Sequence, residues 1–141
     1  RLDQHRARVE ERRRLELKVK VRKELMDGIL AHSREMHPRE IVLLLRGKAG
    51  NDVEVNGVVI PPKAIHGIGF SGFQQYMLPF DLSIVGAIHS HPSGFSTPSV
   101  HDLNHPYGKI TMIVAYPYRS VDDITIFGRG GQVLAFEVLA Q

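Results

Sequence analysis

The chain has 141 residues, no cysteine and a formal net charge of +3 at neutral pH. Its length suits one domain with a substantial core, and the lack of cysteine excludes disulfides and thiolate metal sites. No apolar run is long enough to span a bilayer, and the N-terminal residues are too polar for a secretory signal, so we expect a cytoplasmic protein with no membrane partner.

The positive charge is concentrated near the N-terminus. Residues 1–24 carry ten Lys or Arg and five Asp or Glu, whereas the rest of the chain carries eight and ten. A basic domain can indicate nucleic-acid binding, but here the basic character belongs to an arm, so we do not expect a nucleic-acid partner. Residues 1–14 have almost no apolar content and many helix formers, which predicts a solvated helix or a disordered tail. We treat them as a basic extension before a domain at residues 15–141.

Two elements open the predicted domain. Residues 15–21 alternate apolar and charged side chains, which predicts a half-buried strand. The spacing of Leu25 and Ile29 then predicts a helix over about residues 22–36. Pro38 should end this helix, because the residue before a proline is disfavoured in the helical region.

A hairpin is predicted next. Residues 40–47 form an apolar run that opens with Glu40, which indicates a buried strand. Residues 50–52 are typical of a turn, and residues 53–60 predict the returning strand.

The second half of the chain predicts further strands. Residues 64–80 have no clear pattern, whereas residues 110–114 indicate a buried strand. Residues 122–127 and 133–138 predict a closing hairpin around a glycine-rich turn. We therefore expect an α/β domain whose mixed sheet has six to eight strands.

The segment from Ile84 to Asp102 carries the candidate chemistry. Its apolar first residues predict a buried strand that ends in His89 and His91. Alternate strand residues share a face, so the two imidazoles should project together. Asp102 follows after a loop rich in Pro, Gly and Ser. Two histidines and one carboxylate supply three ligands of a tetrahedral zinc ion and leave one position open, as in catalytic zinc sites.

Ser99 and Asp102 also fit a second interpretation. Their spacing is that of a capping box, and Thr97-Pro98 resembles an N-cap followed by proline at the first helical position. In that case the two side chains satisfy backbone donors of a short helix that Pro106 stops. Capping and metal binding are compatible, because the cap would fix the turn that aims Asp102 at the histidines.

The sequence HSHPSGFSTPSVHD resembles the signature of the JAMM, or MPN+, zinc metalloproteases, H-[ST]-H-x7-S-x2-D. This family includes proteasome-lid and endosomal deubiquitinases and small archaeal and bacterial relatives. Its upstream element is a glutamate that opens a strand reaching a glycine seven residues later, as Glu40 and Gly47 do. His37-Pro38 precedes this element, as in many members.

The resemblance spans about residues 15–140 and implies a single MPN domain with a cytidine-deaminase-like fold. Such a domain has a mixed, curved β-sheet flanked by a long N-terminal helix and a short helix after the metal loop. The sequence departs from the family at Leu43, where glycine is common, and at the early Pro106, which implies a shorter helix. Neither departure removes a catalytic group.

The resemblance also implies roles for individual residues. One zinc ion would be held by His89, His91 and Asp102 and would lower the pKa of a bound water to about 7. Glu40 would take the proton of that water, although a solvated strand end is the alternative for this residue. Ser99 would donate a hydrogen bond to the oxyanion of the tetrahedral intermediate.

The implied activity is deubiquitinase-like hydrolysis of the isopeptide bond between a ubiquitin-like protein's C-terminal glycine and a lysine. The expected partners are conjugates of ubiquitin or a ubiquitin-like protein, with association with the proteasome as a further option. Residues 64–76 lie where relatives carry an insertion that pairs with the tail of the substrate. The candidate substrate-binding residues are Gly67, Ile68, Gly69 and Phe70. A plain glycine-rich surface loop is an equally good interpretation of this segment.

Besides a nucleic-acid-binding module that uses the basic arm, two alternative functions stay open. One is a peptidase that processes a sulfur-carrier or ubiquitin-like precursor with the same chemistry. The other is a non-catalytic MPN scaffold. Scaffold members usually lack one or more ligands, so the complete set of Glu40, His89, His91, Ser99 and Asp102 speaks against it.

Overall fold

The computed structural model describes residues 1–15, 17–61, 83–95 and 108–140. Within these ranges eight strands join in one mixed sheet. The elements in chain order are α1 (Leu2–Leu15), β1 (Lys18–Arg22), α2 (Lys23–Met36), β2 (Val42–Ala49), β3 (Asp52–Val59), β4 (Ile84–His91), β5 (Ile110–Ala115), a 3-10 helix (Val121–Asp123), β6 (Ile124–Gly128), β7 (Val133–Leu134) and β8 (Phe136–Leu139). Neither α-helix in the described ranges is long and apolar enough to cross a membrane.

The N-terminal extension is helical, the first of the two states that its composition allows. Helix α1 extends through Leu15, so the prediction of a strand from residue 15 is wrong at its start. Strand β1 begins at Lys18, where pairing with Asp52 of β3 begins. Alternation at Leu15 and Leu17 does not by itself specify where pairing with a neighbouring strand begins.

Helix α2 confirms the helical period, with a start one residue later than predicted. Its buried face consists of Met26, Ile29, Leu30 and Ser33. The helix ends before Pro38, and the His37 amide donates to the Ser33 carbonyl at its last turn. The apolar face packs into the main core of the domain.

Strands β2 and β3 form the predicted antiparallel hairpin. Its register shifts between Arg46 and Gly47, where a bulge bends β2. A side chain at Gly47 would place its Cβ only 1.8 Å from the Glu54 carbonyl oxygen. The glycine seven residues after Glu40 is therefore required by the close approach of the two strands. Leu43, the departure from the family pattern, is buried in the main core.

The strand order across the sheet is β7-β6-β5-β4-β2-β3-β1-β8. Strand β7 pairs antiparallel with β6, which confirms the first part of the predicted closing hairpin. The prediction that the rest of residues 133–138 continues this hairpin is wrong, because β8 pairs in parallel with β1 and not with β6. Local alternation predicts a strand but not its partner. Only Ala135 separates β7 from β8, although they occupy opposite ends of the order, so the sheet is curved and nearly closed.

The predicted short helix after the metal loop and the unpatterned segment 64–80 lie outside the described residues. The division into an extension at residues 1–14 and a domain from residue 15 stays a prediction.

Candidate metal centre

The candidate site lies where the end of β4 meets the start of β2. Strand β4 is near the middle of the sheet, between antiparallel β2 and parallel β5. Val42 of β2 pairs with His89 of β4, so the residues just before Val42 lie beside the residues just after His89. The topology thus brings Glu40 to the strand end that carries the two histidines, although about fifty residues separate them in sequence.

Glu40 and His89 lie close together. The Glu40 Oε1 atom is 3.9 Å from the Nδ1 atom of His89. The imidazole of His89 is buried, whereas about half (51%) of the Glu40 side chain is exposed. A half-exposed carboxylate can exchange protons with solvent, and a buried imidazole is held in place by its surroundings. This pair therefore places a solvent-accessible carboxylate beside a buried imidazole of the kind that binds a metal ion.

The second histidine, His91, has a defined tautomer. Its Nδ1 atom lies 2.9 Å from the backbone carbonyl oxygen of Phe95. A carbonyl can only accept, so Nδ1 carries the proton and the lone pair lies on Nε2. A backbone carbonyl that fixes the tautomer and the ring in this way is the usual support of a metal-binding histidine.

The turn after β4 is fixed by backbone contacts. The carbonyl of His91 accepts hydrogen bonds from the amides of Gly94 (3.1 Å) and Tyr116 (3.0 Å). Gly94 has a φ of +84°, a left-handed conformation that suits glycine. These contacts hold the start of the loop that leads toward Ser99 and Asp102.

Ser90, between the two histidines, connects β4 to the segment that carries Glu40. It is fully buried, and its hydroxyl accepts a hydrogen bond of 2.7 Å from the Ile41 amide. Its own amide donates to the Ile41 carbonyl at 3.1 Å. These two bonds hold the start of β2 against the end of β4.

The structure also shows an aromatic cluster that the sequence did not predict. The rings of His37 and Tyr116 are stacked with centroids 4.6 Å apart, and Tyr118 meets both rings edge-on. The Nδ1 atom of His37 lies 3.0 Å from the Tyr118 hydroxyl. Burial raises the pKa of Tyr118, and the charges of Tyr116 and Glu40 raise it further. The available signals were His37-Pro38 just before Glu40 and the two tyrosines just after β5.

The other predicted site residues lie outside the described residues: Ser99, Asp102, Gly67, Ile68, Gly69 and Phe70. In the part of the chain that the structure describes, no group of three His, Cys, Asp or Glu side chains could hold a metal ion. Two of the three predicted ligands, His89 and His91, are among the described residues, and both belong to the end of β4. Their nitrogen donors, with a carboxylate nearby and no cysteine in the chain, fit the nitrogen and oxygen ligands of catalytic zinc.

Known proteins are similar to this chain in both sequence and fold. A family model described as prokaryotic homologs of the JAB domain matches residues 22–126. A probable metalloprotease of Haloferax volcanii is 33% identical to this chain over 129 residues, which cover 86% of this chain and 80% of the relative.

Two solved structures match most of the chain. One is described as JAMM, a metalloprotease-like zinc site in the proteasome and signalosome. It gives a TM-score of 0.61 at 25% identity and covers 87% of this chain and 97% of that chain. The other is a JAB1/MPN domain protein from Archaeoglobus fulgidus, with a TM-score of 0.60 at 25% identity, covering 88% and 97%. These matches confirm the predicted α/β fold.

Proposed function

Because this chain belongs to the JAB/MPN metalloprotease family, as a prokaryotic homolog of the JAB domain, we propose that it is a zinc-dependent isopeptidase. Its substrate is the bond between the C-terminal glycine of a ubiquitin-like protein and a lysine of the conjugate. The observation that carries the proposal is the 3.9 Å approach of the Glu40 carboxylate to His89, at the strand end that also carries His91.

The residues that would hold the zinc ion are His89, His91 and Asp102. When bound, zinc activates water for attack and polarises the carbonyl of the scissile amide. The hydrogen bond from His91 Nδ1 to the Phe95 carbonyl selects the neutral tautomer in which Nε2 carries the lone pair for this role.

Glu40 is the general base of the proposed reaction. Its carboxylate accepts a proton from the attacking water and then donates it to the leaving lysine amine, which cannot leave as an anion. The half-exposed carboxylate is accessible to water, and the hydrogen bonds between Ser90 and Ile41 hold its backbone beside the histidines. Ser99 donates a hydrogen bond to the oxyanion that forms at the carbonyl oxygen.

The proposed substrate class follows from the family and from the chemistry of an amide. A flexible C-terminal tail binds well as an added strand, because backbone hydrogen bonds supply the affinity. We assign this contact to the segment that includes Gly67, Ile68, Gly69 and Phe70. The partners of the proposed reaction are conjugates of ubiquitin or a ubiquitin-like protein, and association with the proteasome stays a prediction from the family resemblance. The cytoplasmic location stays a prediction from the sequence.

The test is cleavage of a fusion between a ubiquitin-like protein from the source cell and a reporter lysine peptide. We expect the zinc-loaded protein to release the reporter, a chelator to stop the release, and added zinc to restore it. His91→Ala should bind less zinc and lose cleavage, whereas His5→Ala, which changes an exposed residue of helix α1, should match the parent protein.

Three outcomes would contradict the proposal. Stoichiometric zinc without cleavage of any conjugate from the cell extract would indicate a scaffold. Cleavage that survives complete metal removal would exclude the metal mechanism. A linear precursor cleaved in preference to every conjugate would instead identify a peptidase that processes a sulfur carrier.

A further inference from the structure

In the aromatic cluster beside the histidines, Tyr116 and His37 are exposed, whereas Tyr118 is buried. Half (50%) of Tyr116 is exposed, whereas Tyr118 is 1% exposed. The ring of His37 stacks on Tyr116 at an interplanar angle of 25°, and Tyr118 supports both rings edge-on. The cluster is therefore a supported aromatic surface.

Backbone contacts tie this surface to the candidate metal centre. Tyr116 follows β5 directly, and its amide donates to the carbonyl of His91 at 3.0 Å. Ala115 pairs in register with His91 across the two parallel strands. His37 precedes Glu40 by three residues. The stacked pair thus connects the strand end that carries the histidines with the segment that carries the base.

The chain keeps this arrangement at an energetic cost. Tyr118 has a φ of +58°, a left-handed conformation that is rare for a bulky residue and costs on the order of 1–3 kcal/mol. The guanidinium of Arg34 donates to the Tyr118 carbonyl, and the Tyr118 hydroxyl contacts His37. Such strain persists where the surroundings impose it, and it is concentrated at binding and catalytic sites.

We propose that Tyr116, supported by His37, is a specificity-determining residue that stacks against an apolar or aromatic side chain next to the scissile bond. The inference rests on the proposed function for the position of that bond. A ring already held by two neighbours loses little conformational freedom on binding, and an aromatic ring offers a large contact area. The preferred substrate therefore carries an aromatic or aliphatic residue beside the target lysine.

The test uses two isopeptides in which Gly-Gly is joined to the Nζ atom of a lysine, flanked by phenylalanine in one and by serine in the other. Zinc-loaded protein is assayed for kcat/KM, and the zinc-loaded Glu40→Gln protein is assayed for Kd. We expect the phenylalanine peptide to be preferred roughly threefold to tenfold in both kcat/KM and Kd, the range expected for an aromatic pair. Tyr116→Ala should abolish the preference and Tyr116→Phe should keep it. Val133→Ala, which truncates an exposed side chain on the edge strand β7, should also keep it.

A second measurement does not depend on the folding of Tyr116→Ala. Adding the phenylalanine peptide to the zinc-loaded Glu40→Gln protein should shift the ring proton resonances of Tyr116, and the serine peptide should shift them less. Equal effects of both peptides, a preference that survives Tyr116→Ala, or no binding of either peptide would overturn the inference. Selective binding that depends on Tyr116 but leads to no cleavage would support the inference while contradicting the proposed hydrolysis.

Discussion

The hydroxyl of Ser90 accepts a hydrogen bond of 2.7 Å from the backbone amide of Ile41, the residue next to Glu40. Ser90 lies between His89 and His91, so one side chain connects the strand of the candidate ligands to the segment of the candidate base. The spacing between these groups therefore depends on a buried contact between two strands rather than on a loop.

Replacing Ser90 by alanine should destabilise the protein and weaken catalysis together. The change leaves the buried Ile41 amide without its acceptor, at a cost of about 1–3 kcal/mol in the free energy of unfolding. We expect kcat to fall while the zinc content stays the same, because Glu40 loses its fixed position. Ser90→Thr keeps the acceptor and should reduce the free energy of unfolding and kcat less than Ser90→Ala does. Urea unfolding and steady-state kinetics test this, and unchanged stability of Ser90→Ala would contradict the role.

Glu40→Gln should keep stoichiometric zinc and lose at least a hundredfold in cleavage rate. The amide has nearly the shape of the carboxylate but cannot accept the proton of the attacking water, a step worth roughly a hundred- to ten-thousandfold. Metal analysis and kcat measured on the same sample separate binding from catalysis. Glu137→Gln, an exposed change on β8, is the matched control. Turnover equal to that of the parent protein would remove Glu40 from the mechanism.

Ser99→Ala distinguishes the two interpretations of this residue. As an oxyanion donor, Ser99 should contribute at least tenfold to kcat, and the variant should retain its zinc. As a helix cap it should contribute about 1 kcal/mol to stability with no separate kinetic effect. Thermal unfolding and kcat at a temperature where the variant is folded give the answer.

Tyr118→Phe should make stability less sensitive to alkaline pH. Burial raises the pKa of Tyr118 above its ordinary value of 10.0, so the folded state holds the phenolic proton more tightly than the unfolded chain. This stabilising contribution is complete below pH 10 and is lost as the pH rises through the folded-state pKa. At pH 7 the free energy of unfolding of the variant should be lower by about 1 kcal/mol, because the hydrogen bond between the Tyr118 hydroxyl and His37 is lost. Above pH 10 this free energy should decline less steeply than that of the parent protein. Denaturant unfolding from pH 7 upward tests this, and parallel declines would contradict it.

The sequence predicted the elements whose signals are local. Helix α2 followed from the spacing of Ile29 and its neighbours and from Pro38, and β2 and β3 followed from an apolar run, a turn and a returning strand. The start of β1 was predicted too early, because alternation at residues 15–17 does not reveal where the partner strand begins.

The contacts between distant residues could not be predicted from local patterns. Nothing in the sequence around Phe136 indicates that β8 pairs with β1 rather than continuing beside β6. The approach of Glu40 to His89 was expected only from a family resemblance. The stacking of His37 on Tyr116 was missed, because each residue by itself is unremarkable and only the fold brings them together.

Strands β7 and β8 are the two edge strands of the curved sheet, and the single residue between them keeps the two edges near one another. We call the line between these edges the seam. Strand β4 lies near the middle of the strand order and therefore across from that seam, with hydrogen-bonded neighbours on both sides. Among the strands of the described residues, β7 should separate first from its neighbour under thermal fluctuation, because it has only two residues and pairs with β6 alone. The domain can therefore lose the pairing of this edge strand while the groups proposed to carry out the chemistry keep their spacing.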